Sequence, residues 1–140
     1  MKLHKSTVLY NEELAPGICC LWIDLPQVAS SARPGEFVMI PCTEASSQFD
    51  PFLARAISIH RYGPKILDGE PDIIHPEWVT PTSVALLFNA NGLARSWLGK
   101  RKAGDEVSVL GPLGQGYEID PNAKHLLLAG GGTGLAPHIA

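Results

Sequence analysis

The sequence predicts a mainly β protein: a six-stranded antiparallel Greek-key barrel with one short helix, followed by the first strand and glycine turn of a truncated α/β domain. Three observations carry this. Apolar runs of strand length recur between turn signals, and 12 prolines with 14 glycines in 140 residues punctuate segments too short for a helical bundle. Only residues 93–100 (LARSWLGK) have helical spacing. Finally, residues 125–140 (HLLLAGGGTGLAPHIA) run from unbroken apolar sequence into glycines, the form of a buried parallel strand that turns into a helix.

The elements follow in order. Residues 7–10 (TVLY) and 18–25 (ICCLWIDL) are β-branched or aromatic runs separated by Pro16 and Gly17, the pattern of two strands joined by a turn. Pro26 ends the second, and 27–33 is a polar link of small residues. Pro34 and Gly35 turn the chain into 36–40 (EFVMI), whose four consecutive apolar residues predict a strand buried on both faces. Residues 43–50 are small and polar, a loop.

In 52–60 (FLARAISIH), Ile57 and Ile59 flank Ser58 at period two, a strand. Prolines 64, 71, 76 and 81 in the segment 61–83 exclude a long helix or central strand, so it is expected to be a linking segment with functional or mobile character. Its acids Asp68, Glu70, Asp72 and Glu77 are expected in water. Residues 84–88 (VALLF) form a strand. Asn91 and Gly92 then lead into the helix, with Leu93 and Trp97 on one face. Residues 106–110 (EVSVL) alternate as a half-buried strand, 111–116 form a loop with three glycines, and Pro121 and Asn122 mark a linker. The predicted organisation is a barrel over 1–122 and the start of an incomplete nucleotide domain over 123–140.

Composition limits the function. A formal charge of -3 and a single basic run, Lys100, Arg101 and Lys102, argue against a nucleic-acid partner; that run is expected to be a solvated turn. Cys19, Cys20 and Cys42 have neither disulfide-framework nor zinc spacing, which suits a reducing cytoplasm, and no metal site is expected. No signal-peptide core and no 18-residue apolar run occur, so neither export nor membrane spanning is expected.

The motifs that remain grip anions. Gly132-x-Gly134 begins like a dinucleotide fingerprint but has Pro137 in place of its third glycine, and no lysine follows as in a phosphate loop. A phosphate turn and a tight packing turn both use such glycines. Arg55 could fork onto a phosphate, with Ser58 offering a hydroxyl to a planar heterocycle. Gly92, ahead of a helix, frees backbone amides for an anion. No nucleophile elbow, zinc-protease motif or paired carboxylates are present, so no side chain is assigned a catalytic role. Any catalysis must be carried by a cofactor.

Four segments now match a family in order: 34–40 (PGEFVMI), 50–59 (DPFLARAISI), 111–117 (GPLGQGY) and 129–137 (AGGGTGLAP). The chain resembles the ferredoxin reductase-like flavoproteins, and within them it looks most like the electron-transfer subunits of dihydroorotate dehydrogenase. The resemblance implies an FAD-binding barrel followed by an NAD(P)-binding domain. Arg55 would hold FAD phosphate, Ala56, Ile57 and Ser58 would line the isoalloxazine, and Asn91, Gly92, Leu93, Ala94 and Arg95 would wrap the pyrophosphate. Gly130, Gly131, Gly132, Thr133 and Gly134 would face the nicotinamide nucleotide.

The implied activity is an NAD(P)H oxidoreductase or its electron-transfer subunit, passing electrons between NAD(P)H, flavin and an iron-sulfur or flavoprotein partner. In dihydroorotate oxidation this serves pyrimidine synthesis. The implied partner is a catalytic dehydrogenase subunit or another redox protein, in a homo- or hetero-oligomer. A flavin-binding or protein-interaction barrel without turnover is the alternative. Three departures from the family stand out. Ala56 occupies a position where proline is common, Ile57 one where many reductases have tyrosine, and the cysteines that hold a [2Fe-2S] cluster in relatives are absent.

Overall fold

The structure, a computed structural model, describes residues 2–42, 54–63 and 80–140. Six strands form a closed antiparallel barrel: β1 (Lys2–Ala15), β2 (Ile18–Asp24), β3 (Phe37–Pro41), β4 (Ala54–Gly63), β5 (Ser83–Asn89) and β6 (Glu106–Leu113). Their order around the barrel is β1-β2-β5-β4-β3-β6, and β6 pairs back onto β1. Closure leaves no open sheet edge. The long β1 spans two neighbours: Lys2 to Thr7 pair with β6, and Val8 to Ala15 with β2.

Side-chain alternation fills the interior. Val38 and Ile40 on β3, Ile57 and Ile59 on β4, and Val107 and Val109 on β6 are all buried at period two and join one core cluster. β3 is therefore buried on one face only, contrary to expectation. Phe37 and Met39 on its other face are half-buried, because this strand has no second layer over it in the described residues. β2 and β5 do bury both faces. Leu21, Ile23, Val84 and Leu86 enter the main core, while Cys20, Trp22 and Ala85 pack in a second cluster with Leu9, Tyr10 and Leu87. Two-sided burial explains the unbroken apolar sequence of both strands.

The link after β2 contains a single helical turn, α1 (Pro26–Ala29), which the polar reading of 27–33 missed. Proline at its start is pre-organised for a helix, and Val28 and Ala29 are buried against the barrel. The longer helix α2 (Leu93–Gly99) forms as expected, but its buried face differs. Ala94 and Leu98 enter the core, while Leu93 is 74% exposed and Trp97 only flanks the cluster. Gly92 sits ahead of it at φ 84, a left-handed conformation that favours glycine.

At the other end of α2, the Asn11 Nδ2 donates to the carbonyls of Gly99 and Arg101 at 3.0 and 2.8 Å, satisfying groups a helix end leaves open. Arg101 lies over the Trp97 ring at 4.2 Å and donates from Nε to the Trp97 carbonyl. That part of the basic run is thus a packed helix end instead of a solvated turn.

The strand expected at residues 126–129 does not form. Leu126, Leu127 and Leu128 are 59%, 91% and 51% exposed, and no strand among the described residues pairs with them. A parallel strand exists only through the ladder a neighbour supplies. Downstream, the expected helix start is a 3-10 helix, Gly132–His138, packed against β4 and β5. The loop 43–50, the start of the strand expected at 52–60, and most of 61–83 lie outside the described residues; within the last, β4 continues to Gly63.

Candidate cofactor site

The site is built on the outer face of β4. Ile57 and Ile59 point into the barrel, so the alternation of a strand places Ala56 and Ser58 together on the opposite face; at His60 the register against β5 shifts, and its ring meets the 3-10 helix. There a cavity of about 240 Å³ is lined by Ala56, Ile57 and Ser58 of β4, Leu87 and Phe88 of β5, Arg95 of α2, and Thr133 and Gly134 of the 3-10 helix. Four separate elements thus converge on one recess. Its walls combine apolar side chains with a serine, a threonine and a guanidinium, the mixture expected where a flat ring must be held and oriented. At this volume the recess fits part of a dinucleotide, below the roughly 300 Å³ at which complete ligand pockets begin.

Positive charge gathers beside it. Arg55, half-buried opposite Ile40 in the β3–β4 ladder, and Arg95 both reach the Cys42 thiol electrostatically. Burial pushes that thiol up, while the two guanidiniums pull it back. Neither arginine has an ion pair with an acid among the described residues; the pairs present there are Lys5–Glu106 and Arg33–Glu36. A guanidinium without an acidic partner can grip an anion in a fork of hydrogen bonds.

Two contacts hold the glycine segment, one to β4 and one to the chain beyond β6. The buried His60 Nδ1 lies 2.9 Å from the Ala136 carbonyl oxygen, and the rings of Tyr117 and His138 stand 5.7 Å apart at 43°. The glycines serve different ends. A Cβ on Gly130 would come within 3.0 Å of both the His138 and Leu135 side chains, so this position is set by packing. Gly131, Gly132 and Gly134 face open space. Of these, Gly134 lines the cavity, where a side chain would occupy ligand volume.

Of the residues predicted from sequence, the fold brings Ala56, Ile57, Ser58, Arg95, Thr133 and Gly134 to one cavity. Arg55 stands at the start of β4, next to Ala56 and outside the lining. Asn91, Gly92, Leu93 and Ala94 lie at the start of α2, with Ala94 turned into the core, and Gly130, Gly131 and Gly132 do not border the recess. Sequence reasoning missed Leu87 and Phe88, which read only as strand, and His60. No sequence signal marks His60, which sits where the register of β4 against β5 shifts.

The cysteines do not fit an iron-sulfur cluster. Cys19 and Cys42 lie in the main core and Cys20 in the cluster on the other face of β2, so they cannot converge. No group of three metal-ligating side chains occurs among the described residues.

The barrel and its recess define the class. The fold is that of the ferredoxin reductase-like barrels. It matches a ferredoxin NADP+ reductase from Neisseria gonorrhoeae with bound FAD and NADP at a TM-score of 0.66 and 17% identity, over 100% of this chain and 50% of that one. An NADH-dependent reduced ferredoxin-NADP oxidoreductase matches at 0.60 and 23% identity, over 82% and 34%.

In sequence the chain is similar to dihydroorotate dehydrogenase B (NAD(+)) electron transfer subunits. It is 34% identical to that of Desulforamulus reducens over 97% of this chain and 45% of the relative. To that of Geobacillus thermodenitrificans it is 33% identical, over 95% and 46%. The chain therefore spans a little under half the length of these relatives. No family model matches it.

Proposed function

We propose that residues 1–122 are the FAD-binding barrel of an NAD(P)H-linked electron-transfer component and residues 123–140 the start of its nicotinamide-nucleotide domain. The observation that carries this is the cavity itself, where the strand, helix and glycine motifs, far apart in sequence, line one recess. Homology to dihydroorotate dehydrogenase electron transfer subunits supports it.

The residues present fit the cofactor. Ile57, Leu87 and Phe88 border the recess where the isoalloxazine would lie, and the Ser58 hydroxyl would offer a hydrogen bond to its polar edge. Arg55 and Arg95 supply the charge for the phosphates, with Asn91, Gly92, Leu93 and Ala94 along the pyrophosphate. Gly134 leaves room for the ring face and Thr133 borders it; Gly130, Gly131 and Gly132 complete the nicotinamide-side turn. When bound, flavin supplies the exchange between two-electron hydride chemistry and single-electron transfer. The chain's own part is to bind, orient and shield: among the described residues, no side chain lining the recess is assigned the role of acid, base or nucleophile.

Electrons would pass to a catalytic dehydrogenase subunit or another redox protein, in dihydroorotate oxidation for pyrimidine synthesis. The three free cysteines agree with a cytoplasmic setting, and no helix among the described residues is long and apolar enough to cross a membrane. The decisive experiment is an absorbance spectrum and FAD titration of the purified chain. Saturable binding with flavin bands supports the proposal, and protein that neither carries nor takes up FAD overturns it.

A second proposal, a flavin-binding or protein-interaction barrel without turnover, is favoured by the exposed and unpaired Leu126, Leu127 and Leu128. Failure of the flavin-loaded chain to oxidise NADH or NADPH would support that alternative for these residues.

A further inference from the structure

His60 is buried where the register of β4 against β5 shifts, two residues beyond Ser58, and it does not line the recess. Its Nδ1 instead meets the Ala136 carbonyl at 2.9 Å across 76 residues of sequence. A carbonyl oxygen only accepts, so Nδ1 must carry the proton. Ala136 is itself buried and lies two residues beyond Gly134, inside the 3-10 helix. Among the described residues this is the one hydrogen bond between a β4 side chain and that helix. The tilted Tyr117–His138 ring pair and the packing of the helix against β4 and β5 also hold the segment, but neither supplies a directional donor.

We propose that His60 is a positioning residue, whose Nδ1–H bond to Ala136 pins the glycine segment to β4 and so sets Thr133 and Gly134 as a wall of the recess. The proposal rests on the flavin-cavity function above for its purpose: the recess would hold the planar heterocycle of a flavin dinucleotide, and the pinned wall would fix where a nicotinamide could approach it. His60 touches neither and acts through the backbone of Ala136. Its ring is held neutral by burial and by Arg61, although the bond to Ala136 works in the opposite direction. Around it, β5 and β3 carry no titratable side chain and the 3-10 helix carries His138. Glu36, just ahead of β3, acts on Tyr62.

The test compares the wild-type chain with His60→Leu, which keeps bulk without a donor, and His60→Asn, whose amide can place a donor where Nδ1 stood. The Gly134 amide, which donates to the Gly131 carbonyl at 3.0 Å, reports on the segment through hydrogen exchange. His60→Leu is expected to speed Gly134 exchange by about tenfold, the loss of one hydrogen bond, while the amides of Val38 and Val109 keep their protection. His60→Asn should restore most of the protection. Between pH 7.5 and 5.5 the wild-type segment should loosen beyond the intrinsic effect of pH on exchange, and the Asn variant should not.

Unchanged Gly134 exchange in His60→Leu overturns the proposal, as does an Asn variant no better than Leu. Should the Leu variant fail to fold, nitrogen NMR of wild-type His60 decides: an Nδ1–H tautomer supports the bond, and an Nε2–H tautomer overturns it. FAD titration of the same wild-type sample is read separately, so absent flavin binding would sink the proposed function while leaving the exchange result to judge the pin.

Discussion

Gly111 of β6 lies so close to Val38 of β3 that a Cβ on it would stand 2.8 Å from the Val38 Cγ1. Val38 cannot yield: it is fully buried, and branching at Cβ restricts it to few rotamers. The glycine is therefore required by the approach of two barrel strands. Gly111→Ala is expected to cost about 1 to 3 kcal/mol, the usual range for overpacking. Urea denaturation would measure it, and a midpoint equal to wild type would contradict the close approach.

The two faces of α2 should respond differently. Leu98 is fully buried and Leu93 is 74% exposed. Leu98→Ala should destabilise by about 2 to 5 kcal/mol, and Leu93→Ala by no more than about 0.5 kcal/mol. Equal losses at both positions would mean that the helix is rotated from the arrangement described.

How much of this was legible in the sequence depends on the range of the interaction. Val107 with Val109 and Ile57 with Ile59 announce a strand because alternation is local. The 14-residue β1 was legible only at its centre, for its polar ends are held by backbone pairing with two different neighbours. Leu126, Leu127 and Leu128 misled, since apolar content signals a strand's suitability for burial and says nothing of whether a neighbour is there to cover it. On α2, the bulk of Leu93 and Trp97 drew attention, while the small Ala94 that seats the helix did not. In the site, Ser58, Arg95, Thr133 and Gly134 were readable as motif residues. Leu87 and Phe88 join it, and His60 reaches the segment beside it, through folding alone.

Charge in the proposed phosphate region predicts a graded loss of FAD binding. Replacing Arg55 by alanine removes charge-assisted hydrogen bonds worth about 1.5 to 3 kcal/mol, or roughly 10- to 150-fold in affinity by flavin-fluorescence titration. Arg95→Ala should weaken binding in the same direction but less, because this side chain is exposed and screened. Raising salt should narrow both differences. Wild-type affinity in the double variant would remove the arginines from the phosphate site.

His60 makes stability depend on pH. Its folded pKa lies below the ordinary 6.5, chiefly through burial. Between those two values the unfolded chain binds more protons than the folded one, so stability rises with pH through that window. The full contribution is present above 6.5 and is lost as pH falls toward the folded value. Wild-type Tm should therefore drop more than that of His60→Asn between pH 7.5 and 5.5. Parallel curves would show that His60 does not titrate differently on folding.

The thiols should be inert in the folded chain. Cys19, Cys20 and Cys42 are all buried, and burial raises each pKa, that of Cys20 to about 11. Thiolate is the reactive form, so both access and ionisation oppose modification. At pH 8 a chromogenic disulfide reagent should label none of the three in native protein on the timescale that labels all three in urea. Where labelling does occur, its rate should follow opening of the barrel, and Leu98→Ala should accelerate it by the factor by which it destabilises the fold. Rapid native labelling of Cys42 would show instead that the two arginines beside it outweigh its burial.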